Sequence, residues 1–446
     1  MHVGRTLPCK CGRSVKIERP ADGRVEAQRI IDPVQKKTHK ARRRRSAQAP
    51  RTYAGNNRFE RALHRTSAFA ASTLRPLFHG KPTARIATVG SWGYLLAISI
   101  AWAALVFSSE RSLPGTLLAY GPRWLALYPL VVLLPLSALF ARPTLVLLAV
   151  ATWICLVPVM GARISLSTLF ASGFPVQPEP GTFRLLTFNA DGGERLAIDL
   201  PEMLHDEAPD IVTFQECGDA LWERLNSLVG WHSARHGGLC TGSRWPISAV
   251  DLMRRDDFAK ISTEGFGGTA LVMRTFIATP HGPLVLVNLH LETARKGLEG
   301  MLGNEGFIPD DPFAANRTRD QLPSYQPTSN SERFMRNSVI RRAESQRASH
   351  WITGVAKNAP LVVAGDFNMP VESTIYDDFW RQFTDAFEAK GNGLGWTKRE
   401  GRWLRIRIDH VLTTDAGPKP IRIKIGSDYS SDHLPVVVDL RWPTGN

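Results

Sequence analysis

Cysteine is scarce, five in 446 residues, which excludes a small disulfide-built scaffold. Cys9 and Cys11 sit in PCKCG with no second pair nearby, so the four-ligand spacing of a structural zinc site is missing. Cys155 falls in an apolar run. Cys217 and Cys240 are the remaining two, and a bond between them or two separate buried thiols both stay open. No internal repeat is visible, which argues against a solenoid or propeller. No Ser or Cys nucleophile motif occurs, which turns attention from covalent catalysis to attack by water.

Acidic residues are nearly absent from the start of the chain. Residues 1–85 hold 21 Lys/Arg against 5 Asp/Glu, whereas residues 181–446 hold 30 against 34. The formal charge of +14 is therefore a property of the tail. A large C-terminal part with a slight acidic excess is not an obvious tight binder of nucleic acid. The tail, with KKTHKARRRRSAQAPR, also lacks apolar clusters and any helical or strand period, and is expected to be basic and unstructured over 1–85.

Charge is missing altogether from Ile86 to Phe107, 22 residues, enough to cross a bilayer core of about 30 Å as a helix. Trp124–Phe140 and Pro143–Met160 are two further apolar runs. Pro129 and Pro135 interrupt the first of these, as membrane helices tolerate. Only Ala141 and Arg142 lie between the two runs, which predicts a tight helical hairpin. Three transmembrane helices are thus expected, at 86–107, 124–140 and 143–160. Arg75, Lys81 and Arg85 precede the first and hold that side in the cytoplasm. Three crossings then place everything after Met160 outside, in the periplasm of a bacterium, at the inner membrane. The first run starts too late and runs too long for a cleaved signal peptide. None of the runs carries a charge that would form an ion path, which argues against a transporter or channel.

Residues 161–180 end in FPVQPEP and read as a Pro-rich linker. From 181 to 446 short apolar runs alternate with amphipathic segments: FRLLTFN, DIVTFQE, TALVMRTFIA, PLVLVNLHLET, APLVVAGDFN, RIDHVLTT and LPVVVDL, with a helical pattern over 333–356. That is enough chain for one large core of mixed strand and helix.

Polar residues collect at the ends of these strands. Side chains alternate along a strand, so Asn288, His290 and Glu292 share a face, as do Asp366 and Asn368 if their strand persists. Asn189, with Asp191 beyond it, and Glu216 close two more strands. Asp409 follows alternating Ile406 and Ile408, and Asp432 and His433 stand just before the last strand. Carboxylate and carboxamide oxygens suit Mg²⁺ or Mn²⁺ better than zinc, and two histidines with carboxylates to orient them suit proton transfer.

The order of these motifs resembles the endonuclease/exonuclease/phosphatase superfamily. The residues that carry it are Asn189, Gln215-Glu216, Asn288-Leu289-His290, Gly365-Asp366-Phe367-Asn368, Asp409-His410 and Ser431-Asp432-His433. The resemblance spans 181–446 and leaves out the tail and the apolar runs. It implies an α/β four-layer sandwich, two β-sheets flanked by helices, preceded here by the three membrane helices. It implies a metal held by Glu216 with Asn189 and Asp432, or Asp191. Asp366 and Asn368 would hold phosphate and water, with Asn189 and Asn288 also at the phosphate. His433, oriented by Asp409, would be the general base, and His290 would donate to a phosphate oxygen or the leaving group. The implied substrate is a phosphate ester: nucleic acid, lipid head group or small molecule, with no obligate protein partner. The competing reading is a membrane-tethered, non-catalytic binding module of the same fold, against which stands the fact that every catalytic position is filled. Two features fall outside the pattern. Residues 294–330 form a long irregular insertion, a substrate-side lid or a plain loop. Arg333, Arg336, Arg341, Arg342 and Arg347 form either a phosphate-steering face or the solvated side of a helix.

Overall fold

The computed structural model describes residues 57–166, 174, 179–253, 271–295, 297–298, 329–356, 360–401 and 403–442. Most of the basic tail and most of the 294–330 insertion lie outside the described residues. The end of the tail differs from expectation, because helix α1 occupies Asn57–His79. Phe59, Leu63, Ala70, Leu74 and Leu77 recur there at helical spacing, and the surrounding arginines hide that period from a reading by charge.

Three helices long and apolar enough to cross a membrane follow, over Pro82–Ser108, Arg123–Phe140 and Arg142–Val159. Their regular parts are α2 (Pro82–Ser108), α4 (Tyr128–Phe140) and α5 (Leu145–Ile154), with a short α3 (Leu113–Tyr120) in the first connection. Pro129 lies in the first turn of α4, where its missing N–H costs nothing, and only Pro135 is interior. Polar contacts stitch the helices: Ser91 Oγ and Ser137 Oγ lie 3.1 Å apart, and Tyr94 OH donates to Ala126 O at 2.9 Å. Apolar side chains such as Val131, Leu139 and Phe107 point outward, each more than 70 % exposed. That is the surface a lipid-facing bundle presents.

The first residues of the expected linker are not free chain. Arg163 and Ile164 form β1, paired with β11 (Asn392–Gly393). Residues 182–442 then build two mixed six-stranded sheets. The first has the order β15-β16-β2-β3-β5-β4, from β2 (Thr182–Gly192), β3 (Ile211–Cys217), β4 (His232–His236), β5 (Leu239–Ser243), β15 (Lys419–Ile425) and β16 (Val436–Arg441). The second has the order β10-β14-β9-β8-β7-β6, from β6 (Ile247–Leu252), β7 (Leu271–Thr279), β8 (Gly282–His290), β9 (Leu361–Asp366), β10 (Thr384–Asp385) and β14 (Asp409–Thr413). Only β2/β3 and β8/β9 are parallel. A small hairpin, β12 (Lys398–Glu400) and β13 (Leu404–Ile406), stands apart.

Strand alternation assigns the layers. Phe183, Leu185, Leu286, Val362, Ala364, Val411 and Val438 pack between the sheets. The odd face of β9 and the outward face of β8, with Val287, Leu289, Leu361 and Val363, meet α8 (Asn330–Ala356) through Ala348 and Ile352. Leu186, Phe188, Val212 and Phe214 meet α6 (Glu194–Glu207) and α7 (Asp219–Asn226) through Leu196, Leu200, Leu221 and Leu225. The result is the expected four-layer sandwich, helix on sheet on sheet on helix. Cys217 and Cys240 are disulfide-bonded.

Gly365 shows how tightly β9 meets β8. Its φ is +146°, and a Cβ there would lie 2.0 Å from Leu289 O. Replacing Gly365 with Ala therefore forces strand against strand, and a loss of ~2 kcal/mol or more is expected in a denaturant melt. An unchanged midpoint would contradict this close approach.

Candidate active site

The row of side chains facing the other sheet turns polar toward one end. Thr187, Gln215 and Asn288 come first, fully buried. Gln215 Nε2 donates to Thr187 Oγ1 at 3.2 Å and to Asn288 Oδ1 at 2.7 Å. Asn288 Nδ2 donates to the backbone oxygens of Phe214 and Cys240, at 3.1 and 2.9 Å. Asn288 was expected at the phosphate. The structure makes it instead a strut between sheets, with both amide hydrogens committed, since a buried amide must be satisfied internally.

One step further along the strands, register does the assembling. His290 is paired with Asp366 across β8/β9, and Asp366 with Asp409 across β9/β14. The three stand side by side on one face. Asn189 reaches across from the first sheet, its Nδ2 donating to Glu216 Oε1 at 2.9 Å and to Asp366 Oδ2 at 3.0 Å. Asp366 Oδ2 lies 3.7 Å from Nε2 of both His290 and His433. His290 Nε2 is also 3.9 Å from Glu216 Oε1. The predicted residues therefore converge, and three of them, Glu216, Asn368 and Asp191, hold positive φ of 50°, 52° and 46°. Non-glycine residues in that region mark backbone over-determined by its surroundings, a common state at functional sites.

Asp366 and Asn368 do not share a continuing strand. β9 ends at Asp366, whose Oδ1 accepts from Asn368 N at 2.8 Å and so closes a tight turn. Asn368 Nδ2 donates to Leu291 O at 2.9 Å. That bond uses one of its two amide hydrogens and fixes the side chain in the turn.

His433 is buried against Asp409, with Nδ1 and Oδ2 2.9 Å apart. Its Nε2 is 3.1 Å from Lys398 Nζ. An ammonium only donates, so Nε2 is the acceptor and the ring hydrogen sits on Nδ1, toward Asp409. Burial works against a charged ring, but the carboxylates of Asp409 and Asp366 outweigh burial and Lys398 together and raise the His433 pKa above its ordinary value. His410, the other half of its dipeptide, is structural: it spans Asp385 Oδ2 at 2.8 Å and Met369 O at 2.9 Å.

Asp432 was expected at the metal. Its carboxylate pairs with the Lys398 ammonium, and against the effect of burial the charges of His433 and Lys398 keep its carboxyl below the usual range. Lys398 stays charged for the same reason, its burial being offset first by Asp432. Nothing in the sequence marks this lysine, which arrives through backbone pairing of β12 with His433. Asp191 is exposed, and its N–H donates to Asn189 Oδ1 at 3.1 Å.

The donor set suits a cation. Among the described residues no Lys or Arg lies within ion-pair distance of Glu216 or Asp366, and Asp409 Oδ1 is buried without a hydrogen-bond partner. Asp366, Asp409 and His433 form a compact buried group. Asp409 and His433 are spent on each other, however, so the more open Glu216 with Asn189 is the better holder of a hard ion.

Arg341 is neither steering nor solvated. It is buried, pairs with Glu110 beyond the end of α2, and donates to Tyr120 OH and, at 3.0 Å, to Asn368 O. Tyr120 OH in turn donates to Glu110 Oε1 and lies 3.4 Å from Asn368 O. Burial drives the Tyr120 pKa well up, so the hydroxyl remains a donor. The helical arginine pattern concealed this one, because spacing along α8 does not say which turn meets a partner 230 residues away.

A family model described as "Endonuclease/Exonuclease/phosphatase family" matches residues 186–433. Among solved structures, a humanized D. rerio TDP2 is 16 % identical, covering 58 % of this chain and 99 % of its own, with a TM-score of 0.40. An endonuclease/exonuclease/phosphatase family protein from Bacteroides thetaiotaomicron is 14 % identical, covering 60 % and 97 %, with a TM-score of 0.39. The 3'-5' exonuclease NExo from Neisseria meningitidis is 16 % identical, covering 58 % and 100 %, with a TM-score of 0.38. No curated protein sequence matches the chain.

Replacing Arg341 with Met leaves the Glu110 carboxylate buried and unpaired, which costs about 3–5 kcal/mol. A chemical melt of the full chain in detergent should show that loss. A change within ~0.5 kcal/mol would mean the pair is solvated.

Proposed function

The chain belongs to the endonuclease/exonuclease/phosphatase family, and from that membership and the site geometry we propose a membrane-anchored, divalent-metal-dependent phosphoesterase that works by attack of water. The observation that carries this is the row His290–Asp366–Asp409 brought against His433 and Asn189. It supplies a base, an acid and an oxygen-rich cation site around one point.

His433 takes the proton of the attacking water at Nε2, where the water replaces the hydrogen bond from Lys398. Asp409 fixes the ring's tautomer and steadies the imidazolium that results. Asp366 Oδ2, equidistant at 3.7 Å from both imidazoles, orients that water and keeps the two rings apart. His290, on the Glu216 side, donates to the leaving oxygen. Lys398 adds a fixed positive charge on the side where the nucleophile arrives. Glu216 and Asn189 would hold Mg²⁺ or Mn²⁺, which when bound polarises the phosphoryl oxygen and offsets developing negative charge.

For location, we place the N-terminus in the cytoplasm and the catalytic part outside. The basic residues before α2 support this, as does the Cys217–Cys240 bond, which persists in oxidising compartments.

Two measurements test these readings. The full chain in detergent should hydrolyse bis(p-nitrophenyl) phosphate with divalent cation and lose that activity to EDTA. Asp366→Ala or His433→Ala should each lower kcat by about 10³; turnover that survives both removes the assignment. A reporter fused to the C-terminus should show extracytoplasmic activity, and cytoplasmic activity would invert the topology.

A further inference from the structure

The catalytic edge of the sandwich faces the apolar bundle. The chain leaves β9 at Asp366 and runs through Asn368 to Glu372 and Thr374, which rest on the connection between the first two long helices. Ser109 Oγ donates to Glu372 O at 3.1 Å and accepts from Thr374 N at 3.0 Å. Arg123, the first residue of the second long apolar helix, meets Glu372 Oε2 at 2.9 Å. Tyr120 OH is 3.4 Å from Asn368 O.

A second contact lies on the other flank. The β12–β13 hairpin begins at Lys398, against His433, and its tip carries Trp403. Trp403 stacks on Trp124 with ring centroids 5.5 Å apart and planes 11° from parallel. Trp124 Nε1 donates to Trp403 O at 2.7 Å, and Tyr128 is 5.7 Å from Trp124. Trp403 and Tyr128 remain 61 % and 55 % exposed. Amphipathic rings at the end of an apolar helix are the make-up of a bilayer's interfacial belt. From Lys398 to Trp403 the chain spans at most about 17 Å.

Two contacts, one through Asn368 and Glu372 and one through the hairpin that begins at Lys398, thus hold the site against the ends of the apolar helices. We propose that the site acts on the phosphate-ester head group of a membrane lipid, taken laterally from the leaflet on which the domain sits. The proposal rests on the hydrolase reading above and names its substrate. Water adds to phosphorus with its proton passing to His433. The bond from phosphorus to the leaving alkoxide breaks, and that oxygen takes its proton from His290. A nucleic-acid strand would have to enter between the domain and the bilayer. It would also meet a catalytic part with 34 acidic against 30 basic residues, which offers little counterion release.

The test uses the full chain in vesicles of phosphatidylcholine containing phosphatidylglycerol or phosphatidic acid. Release of head group or phosphate is followed beside turnover of bis(p-nitrophenyl) phosphate and of a single-stranded DNA oligonucleotide. Lipid turnover should follow the lipid's mole fraction in the bilayer rather than its bulk concentration. Trp403→Ala, remote from the reacting atoms, should slow lipid turnover by about fivefold while leaving the soluble ester unchanged. Hydrolysis of the soluble ester without lipid turnover, or preference for the oligonucleotide, overturns the lipid assignment alone. Failure to turn over even the soluble ester removes the hydrolase reading, and this inference with it.

Discussion

Backbone register holds this protein's chemistry in place. Three neighbouring strands, β8, β9 and β14, put His290, Asp366 and Asp409 at matching positions. A slip of one residue would send all three side chains to the opposite face of the sheet, into the apolar layer under α8. The register is secured from both sides. Above it, Gly365 permits the close approach of β9 to Leu289, and below it the Gln215–Asn288 amide pair ties the two sheets. A buried polar layer of this kind favours one alignment, because a slip would break the Gln215–Asn288 bond and the bonds of Asn288 to the backbone.

Much of this was legible in the sequence, for a physical reason. Alternation in FRLLTFN, PLVLVNLHLE and APLVVAGDFN states which residues share a face, and burial of that face allows one register. The apolar helices were equally plain, because 22 residues without charge admit few alternatives. What stayed hidden depends on backbone or on distance. Lys398 reaches His433 through an isolated bridge between loops, which no periodicity reports. Asn288 and Asn189 look alike as residues beside strand ends. Only the position of the facing sheet separates the strut from the member of the site. The helix at 57–79 was missed because charge density obscured an apolar period.

The site is also shaped by what surrounds each charge. Asp432 and Lys398 neutralise one another next to His433, while Glu216 and Asp366 make no ion pair with a Lys or Arg among the described residues. The two halves of one cleft therefore differ in electrostatic character. One is internally balanced beside His433. The other keeps an excess of negative charge, which is what a hard cation requires.

Glu110 and Tyr120 give the bundle a standing beyond attachment. Their partner Arg341 also grips the carbonyl of Asn368, so the turn beside Asp366 is closed from outside the sandwich. Cutting the chain at the domain boundary would take Glu110 and Tyr120 away from the Arg341 guanidinium and open that turn. A fragment cut there would be a different object from the full chain, because the helical bundle is an internal component of the fold as well as an attachment.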